Sequence, residues 1–481
     1  MLMRRWLTGA LLLAAALLTG CGLVSRQITK AGDYAEHAGG IGRYGSLSEK
    51  ELQWAKVAWR YFENNTNPQN GLVNGSDRTP SFSMAHLGDY IAALTAAREL
   101  GLVNEREFDE RLSKVLAFLQ GMDMSEASIP AKVYNTLSGK MVNYANQPAD
   151  IGWSAVETGR LLTWMKIVAV RYPHYEEYFD KAVFRMNFCQ VIDDCGILHG
   201  LSLENGKRNR YQEGRLGYEQ LAAGGFAAWG FEARRSWRGP DLETVNIYGV
   251  PVRYDGRESR LSGVQTPVLT MPHVLMGMEF GWRYPGQSVA ASSEDADFRK
   301  MADAVYRAQE MRHAREGVLT ARTEYQIKEP PYLVYDAVFA AGYPWNTVGP
   351  DGKEYEKLAM VSTRAAFGLW ALWPTAYTDL LMTSVQTLYS PERGWYDGRM
   401  EKSGAPQEGI TLTTNAQVLE ALLFKVKGQL LPAASNGRYL RRQTGNPFDR
   451  PNRCFPGERP ACRDPGAAPM PAALRPAAMA R

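Results

Sequence analysis

The feature that most limits the folds open to this chain is a rhythm. A segment with apolar residues at helical spacing, a loop and another such segment recur at intervals of roughly 30 to 40 residues. Ser48-Glu49-Lys50-Glu51 predicts a capping box, and Leu52, Trp54, Ala55, Val57, Ala58 and Tyr61 follow at helical spacing. Asn104 with Glu107 starts another helix, which carries Phe108, Leu112, Val115, Leu116 and Leu119 on one face. Further helices are predicted over 84–100, 151–170, 175–188, 216–233, 301–315, 355–370, 375–388 and 411–426. Strand signals, such as the stretch 247–254, are few and isolated, which argues against a parallel α/β sheet. Helical hairpins without a strict residue repeat suit a closed toroid better than an open solenoid. The predicted class is all-α: one large domain over 46–430, with polar excursions at 236–270 and 318–356.

Both ends of the chain differ from this body. Arg4 and Arg5 precede a short apolar run from Leu7 to Leu18, too short for a stable membrane span but suited to a signal peptide over 1–20. The run ends in Leu18-Thr19-Gly20-Cys21, which resembles a bacterial lipobox and predicts acylation of Cys21. Gly22 in the next position implies the outer membrane, with the protein held by lipid and facing the periplasm. Residues 21–45 read as a flexible tether. Residues 431–481, rich in Pro, Ala, Gly and Arg, read as a disordered tail. The net charge is +4, but the tail carries +6 and the first 20 residues +2, so the body is mildly acidic at −4. That argues against nucleic acid as a partner. Of the 5 cysteines, Cys189/Cys195 and Cys454/Cys462 form two close pairs, expected as disulfides in an exported protein. With 6 histidines and neither CxxC nor HExxH, no metal site and no cofactor are predicted.

Aromatic and acidic residues gather in the loops, beside glycines: Asp150-Ile151-Gly152-Trp153-Ser154, Tyr211 to Glu219, Glu324-Tyr325, Pro330 to Asp336, and Gly394-Trp395-Tyr396-Asp397-Gly398. Aromatic rings stack on pyranose faces, while carboxylates and Arg bond sugar hydroxyls. Glycosidic cleavage needs two carboxyls, one to give a proton and one as base or nucleophile. Glu213 and Glu219 are the first pair expected near such chemistry, with Glu324 and Asp397 next. Trp153, Tyr211, Tyr218, Tyr335 and Trp395 are expected to stack on sugar, and Arg215 to hold hydroxyls or orient a carboxylate. The plainer readings are that Glu219 complements a helix dipole and Glu213 pairs with Arg215.

Several of these runs resemble family 3131 of the bacterial domains of unknown function: Asn74 onward to Leu102, Ile129 to Thr136, Ile151 to Leu162, Glu213 to Glu219, Gly394 to Gly398, and Thr413 to Ala421. The resemblance covers about residues 50–430. That family is similar to glycoamylase-like proteins, including endo-β-1,2-glucanases, and the likeness implies an (α/α)6 toroid that acts on carbohydrate. One position departs from its pattern. Ala85-His86 stands where the family has Trp-Asp, and Asp89, one turn on, points in another direction. The reading is a lipoprotein glycoside hydrolase or transglycosylase acting on a periplasmic or exported polysaccharide such as a β-glucan. The alternative is a non-catalytic glycan-binding or secretion-accessory lipoprotein on the same fold, serving exopolysaccharide or cell-envelope machinery.

Overall fold

The computed structural model of the chain describes residues 41–204, 206–213, 216–231, 233–239, 242–257, 266–285 and 293–432. Among them are twelve α-helices: α1 (Glu49–Asn65), α2 (Met84–Glu99), α3 (Glu105–Gly121), α4 (Ala155–Arg171), α5 (Glu176–Phe184), α6 (Tyr218–Ala228), α7 (Arg234–Arg238), α8 (Thr270–Phe280), α9 (Ser293–Glu316), α10 (Thr363–Leu372), α11 (Ala376–Val385) and α12 (Leu412–Lys427). The even-numbered helices form an inner ring. Each packs on the next, and α12 packs back on α2, so the ring closes. The odd-numbered helices flank it.

The sequence explains this division. The predicted capping box at Ser48–Glu51 is present, and Asn104 Oδ1 accepts from Glu107 N–H at 2.9 Å. Outer helix α3 buries the predicted stripe, Phe108, Leu112, Val115, Leu116 and Leu119. Inner helices have no such stripe because they are enclosed on every side. In α8 all residues are buried, so apolar periodicity vanishes, and Pro272 in its first turn further disguises it. For that reason the sequence carries no periodic signal of a helix there. Close packing in the ring needs glycine at two facing positions. A Cβ on Gly225 of α6 would lie 2.1 Å from the Gly159 carbonyl oxygen of α4, and one on Gly159 would lie 2.5 Å from Ala222 Cα.

The all-α expectation needs correction. The described residues also hold eighteen strands of two to six residues, in sheets of two or three. They occur in the long loops that precede each inner helix, which are long enough to pair with themselves. One hairpin is β1 (His199–Glu204) with β2 (Lys207–Gln212); another is β3 (Leu242–Ile247) with β4 (Val250–Asp255). The second turns at Tyr248-Gly249, both at positive φ, as a two-residue hairpin turn requires. Its Ile247, Val250 and Val252 pack on Ala304, Val305 and Ala308 of α9. A three-stranded sheet follows, β5 (Tyr325–Gln326), β6 (Leu333–Asp336) and β7 (Thr347–Val348), with β6 in the middle. Most links that follow inner helices are short, at 100–104, 172–175, 229–233 and 373–375, the link after α8 at 281–292 being longer. Long loops and inner-helix N-termini therefore share one end of the toroid. No helix among the described residues is long and apolar enough to cross a membrane.

At the ring's centre Arg160 of α4 meets three carboxylates from three other inner helices. Its Nε donates to Asp89 Oδ1 at 2.7 Å, one terminal nitrogen to Glu420 Oε2 at 2.8 Å, and the other to Glu279 Oε1. Trp164 Nε1 also donates to Glu279 Oε1, at 2.8 Å. All four charged groups are buried. One guanidinium cannot neutralise three buried carboxylates, and burial raises Glu420 to about 7 despite Arg160. Asp89, the nearest carboxylate to the family's missing Asp, is committed here.

Two outcomes follow from this cluster. Arg160→Met should cost about 3–5 kcal/mol in urea unfolding, because it leaves buried carboxylates unpaired. Glu420 holds its proton to higher pH in the folded than in the unfolded chain, so its contribution declines as pH rises from about 4 to about 7. Glu420→Gln should flatten that part of the stability profile, and an unchanged slope would show that the proton lies elsewhere.

Candidate active site at the loop-bearing end

Four of the six inner-helix N-termini, those of α2, α4, α10 and α12, carry a side-chain cap, and two of these caps engage acidic loop residues. Ser154 caps α4, and its own hydroxyl donates to Glu213 Oε1 at 2.6 Å. The N–H groups of Ala155 and Val156 reach Glu213 Oε2 at 2.6 and 3.3 Å. Glu213, 8% exposed, thus closes the start of α4 from the loop that leads into α6. The expected pairing with Glu219 is not formed. Glu219 is fully buried, and its Oε1 accepts from Ser236 Oγ at 2.7 Å and from Gln212 Nε2 at 3.2 Å. Its other oxygen has no hydrogen-bond partner among the described residues, and burial raises its pKa. The six-residue spacing placed both near one cleft, but the first turn of α6 directs Glu219 toward α7 instead.

The other two predicted carboxyls do share a neighbourhood. Glu324, just before β5, accepts from Arg364 at 2.6 Å and from Thr323 Oγ1 at 2.6 Å, and the Tyr218 hydroxyl also bonds it. Burial pushes its pKa upward, but Arg364 with the two hydroxyls outweighs this and holds it below the usual carboxylate range. Asp397 is 2% exposed; its Oδ1 accepts from Thr411 and Thr414 hydroxyls at 2.7 and 2.5 Å, and its Oδ2 has no partner among the described residues. Burial raises Asp397 to about 6, against the two hydroxyls and Arg364. Arg364, in the first turn of α10, feels both carboxyls. One acid is therefore held ionised to low pH and the other keeps its proton up to about pH 6, across a shared guanidinium.

The predicted aromatics divide. Trp153 is fully buried, and its Nε1 donates to His199 O at 3.2 Å. Trp395 is fully buried against Trp54, Phe367 and Tyr389, with Nε1 on Trp54 O at 3.1 Å. Neither has a face to offer a sugar, so their expected stacking role is withdrawn; both are core residues of the loop layer. Tyr211 and Tyr218 are half-buried, whereas Tyr335 is buried beside Leu269 and Val348. Arg215 lies outside the described residues.

His86 explains the departure from the family pattern. It is the third residue of α2, and its Nδ1 accepts from Ser83 N–H at 3.1 Å, closing a capping box. A Cβ on Gly75 would lie 2.6 Å from its ring, so the imidazole fits only beneath that glycine. Burial lowers its pKa, Asp89 opposes this and Arg364 reinforces it, so no acid stands at this position. Sequence reasoning misses Arg364, which follows no motif and is revealed only by the fold. Among the described residues no group of three His, Cys, Asp or Glu is placed to hold a metal ion.

Comparison with known proteins fits this architecture. The family model described as "Protein of unknown function (DUF3131)" matches residues 53–428. No protein of curated function matches the chain. Among solved structures, it is similar to the β-1,2-glucanase of Parabacteroides distasonis, with TM-score 0.58 and 13% identity over 82% of this chain and 58% of that one. It is similar to the endo-β-1,2-glucanase of Chitinophaga pinensis, in complex with sophorotriose and glucose: TM-score 0.57, 14% identity, 81% of this chain and 95% of that one. It is also similar to a mutant endo-β-1,2-glucanase of Talaromyces funiculosus in complex with β-1,2-glucan: TM-score 0.52, 11% identity, 82% and 87% coverage. At such identities the likeness is one of fold.

The capping role of Glu213 gives a stability test. Glu213→Ala should lower unfolding free energy by about 1–3 kcal/mol, since Ser154 and two backbone N–H groups lose a charged acceptor. Chemical denaturation reads this directly, and an unchanged midpoint would remove the cap.

Proposed function

Since the chain belongs to the DUF3131 family, we propose that it is a carbohydrate-active enzyme, a glycoside hydrolase or transglycosylase acting on a bacterial polysaccharide. A β-glucan is the leading substrate class. The observation that carries this reading is the unequal pair Glu324 and Asp397 about Arg364: environments that push two carboxyl pKa values apart assign one group as acid and the other as base. Asp397, which keeps its proton up to about pH 6 and has one oxygen without a hydrogen-bond partner among the described residues, is the donor to the glycosidic oxygen. Glu324, held ionised, assists water or stabilises positive charge at the anomeric carbon. The Tyr218 hydroxyl and Arg364 fix the orientation of Glu324. Protonation and hydrolysis of this kind need no cofactor.

One observation favours a second reading, a glycan-binding protein without turnover. Glu213 is bound as a cap, Glu219 is fully buried, Asp397 is almost closed to solvent, and the Glu324 side chain, 14% exposed, is already paired with Arg364. Product analysis of the purified full chain on β-1,2-glucan, other bacterial glucans and exopolysaccharides separates the two. Under the hydrolase reading, Asp397→Asn and Glu324→Gln each lower kcat by about 10²–10⁴-fold while glycan affinity persists. The rate should fall as pH rises through about 6, where Asp397 loses its proton. Binding without products from any of these polymers would establish the second reading.

The same proposal places the protein at the outer membrane, anchored through acylated Cys21 and facing the periplasm. Cys21, Cys454 and Cys462 lie outside the described residues. Cys195 lies within the turn in which Asp193 Oδ1 accepts from the N–H groups of Cys195 and Ile197, each at 2.9 Å, and its disulfide with Cys189, six residues earlier, is part of the same proposal. Cys21→Ser should release the folded protein from membranes, as fractionation of expressing cells would show. Retention of that variant after signal cleavage would defeat the anchor.

A further inference from the structure

Beside the β1–β2 hairpin an open cleft of about 400 Å³ lies between three separate segments, a size that suits a small ligand. They are the turn 125–128 on the way to α4, the stretch 188–195 after α5, and strand β2. Neither Glu324 nor Asp397 lines it. Successive side chains of a strand point to opposite faces. Arg208 and Arg210 therefore share the face of β2 that borders the cleft, and Tyr211 takes the other.

The three walls are bonded to one another. Arg208 donates through Nε and a terminal nitrogen to the two carboxylate oxygens of Glu126, each at 2.9 Å. Arg210 Nε donates to Gln190 O at 3.2 Å, and Gln190 Nε2 to Ser128 Oγ at 3.3 Å. Asp193 Oδ2 lies 2.9 Å from His199 Nε2, in addition to the turn bonds made by its other oxygen. The cleft thus has its shape before any ligand arrives, which lowers the cost of binding.

What these bonds leave over characterises the ligand. The terminal nitrogens of Arg210 and the carboxylate of exposed Asp194 have no hydrogen-bond or ion-pair partner among the described residues. Gln190 Oε1 is buried and has no partner there either, an unmet acceptor in the wall. Of the lining side chains only Cys189 lacks a strong hydrogen-bonding group, so a lipid or aromatic ligand finds little to rest on. Two guanidinium groups stand against the carboxylates of Glu126, Asp193 and Asp194, a near balance that favours neither a polyanion nor a polycation.

The geometry points to this cleft as a second saccharide site, which takes one or two residues of an uncharged sugar by their hydroxyls. The free edge of the Arg210 guanidinium donates to adjacent hydroxyl oxygens, and Asp194 accepts hydroxyl protons. Arg208 with Glu126 closes the rim. The inference goes beyond the reaction proposed above and requires neither of its carboxyls. A protein that acts on a long glycan gains hold from a second contact with the same chain.

The test uses the full protein with glucose, a β-1,2-gluco-oligosaccharide, glucuronate and inorganic phosphate as probes. Affinity is read by calorimetry, and location by hydrogen exchange of 125–128, 188–195 and 207–211. The oligosaccharide should slow exchange in all three segments. Asp194→Ala and Arg210→Ala should each weaken that binding about ten-fold, as loss of one charge-assisted bond implies. Asp194 makes no bond to the fold among the described residues, so its loss of binding cannot be mistaken for unfolding. Arg210→Lys, which keeps the charge without the paired donors, should recover only part. Arg106→Ala, on outer helix α3, should change nothing. Unaltered exchange in the three segments, with an oligosaccharide that the parent binds, overturns the second site and leaves the proposed function standing. Tighter binding of glucuronate or phosphate than of either neutral sugar overturns the ligand class. Protection of the cleft without products from any polymer upholds the site and overturns the hydrolase reading. Failure of the parent to bind any probe overturns the site, whatever its activity on polymers.

Discussion

The guanidinium of Arg160 is the interaction on which the rest of the toroid depends. It joins α4 to α2, α8 and α12, helices from the first, middle and last parts of the chain, at the axis of the ring. Apolar packing alone would let six enclosed helices slide or rotate against one another, because a surface buried on every side carries no stripe to set its phase. Directional charge-assisted bonds from one planar group remove that freedom. Their energetic cost is a surplus of buried negative charge, which raises Glu420 to about 7 so that a proton is retained there.

With helix phase fixed at the axis, the helix starts at the loop end become a fixed ring of caps. Ser83, Ser154, Ser362 and Thr411 each close one inner helix. Two of the loop carboxylates are drafted into this task, Glu213 at Ser154 and Asp397 at Thr411 and Thr414. Acidic side chains next to N-termini stabilise the fold, and the same placement gathers acids around Arg364. Structural need and chemical opportunity therefore coincide there. Asp397 departs from a purely structural arrangement, because only one of its two oxygens is hydrogen-bonded among the described residues.

Much of the architecture was legible in the sequence. Outer helices such as α1 and α3 were readable because water on one face preserves the 3.6-residue period. Inner helix α8 was not, since full burial erases the pattern that would announce it. The short sheets escaped because two- and three-residue strands carry no alternation to detect. At the candidate site, the sequence identified the right loops but not the directions of side chains within them. Glycines beside aromatics drew attention to Trp153 and Trp395, which the loops bury as core. Which face of a loop meets water is decided by contacts distant in sequence, such as the bond between Trp395 and the backbone of Trp54 on α1.

The bond from Glu213 to the start of α4 crosses from one helical hairpin to the next, so neighbouring repeats are not interchangeable parts. A relative that acquired a new loop between α5 and α6, by recombination or by design, would alter its cleft and at the same moment uncap a helix it had not touched. Diversification in such a ring is expected to proceed through substitutions that retain an acceptor at this point, or through exchange of two adjacent hairpins together. The repeat that inherits a function and the repeat that inherits a stability debt are different ones.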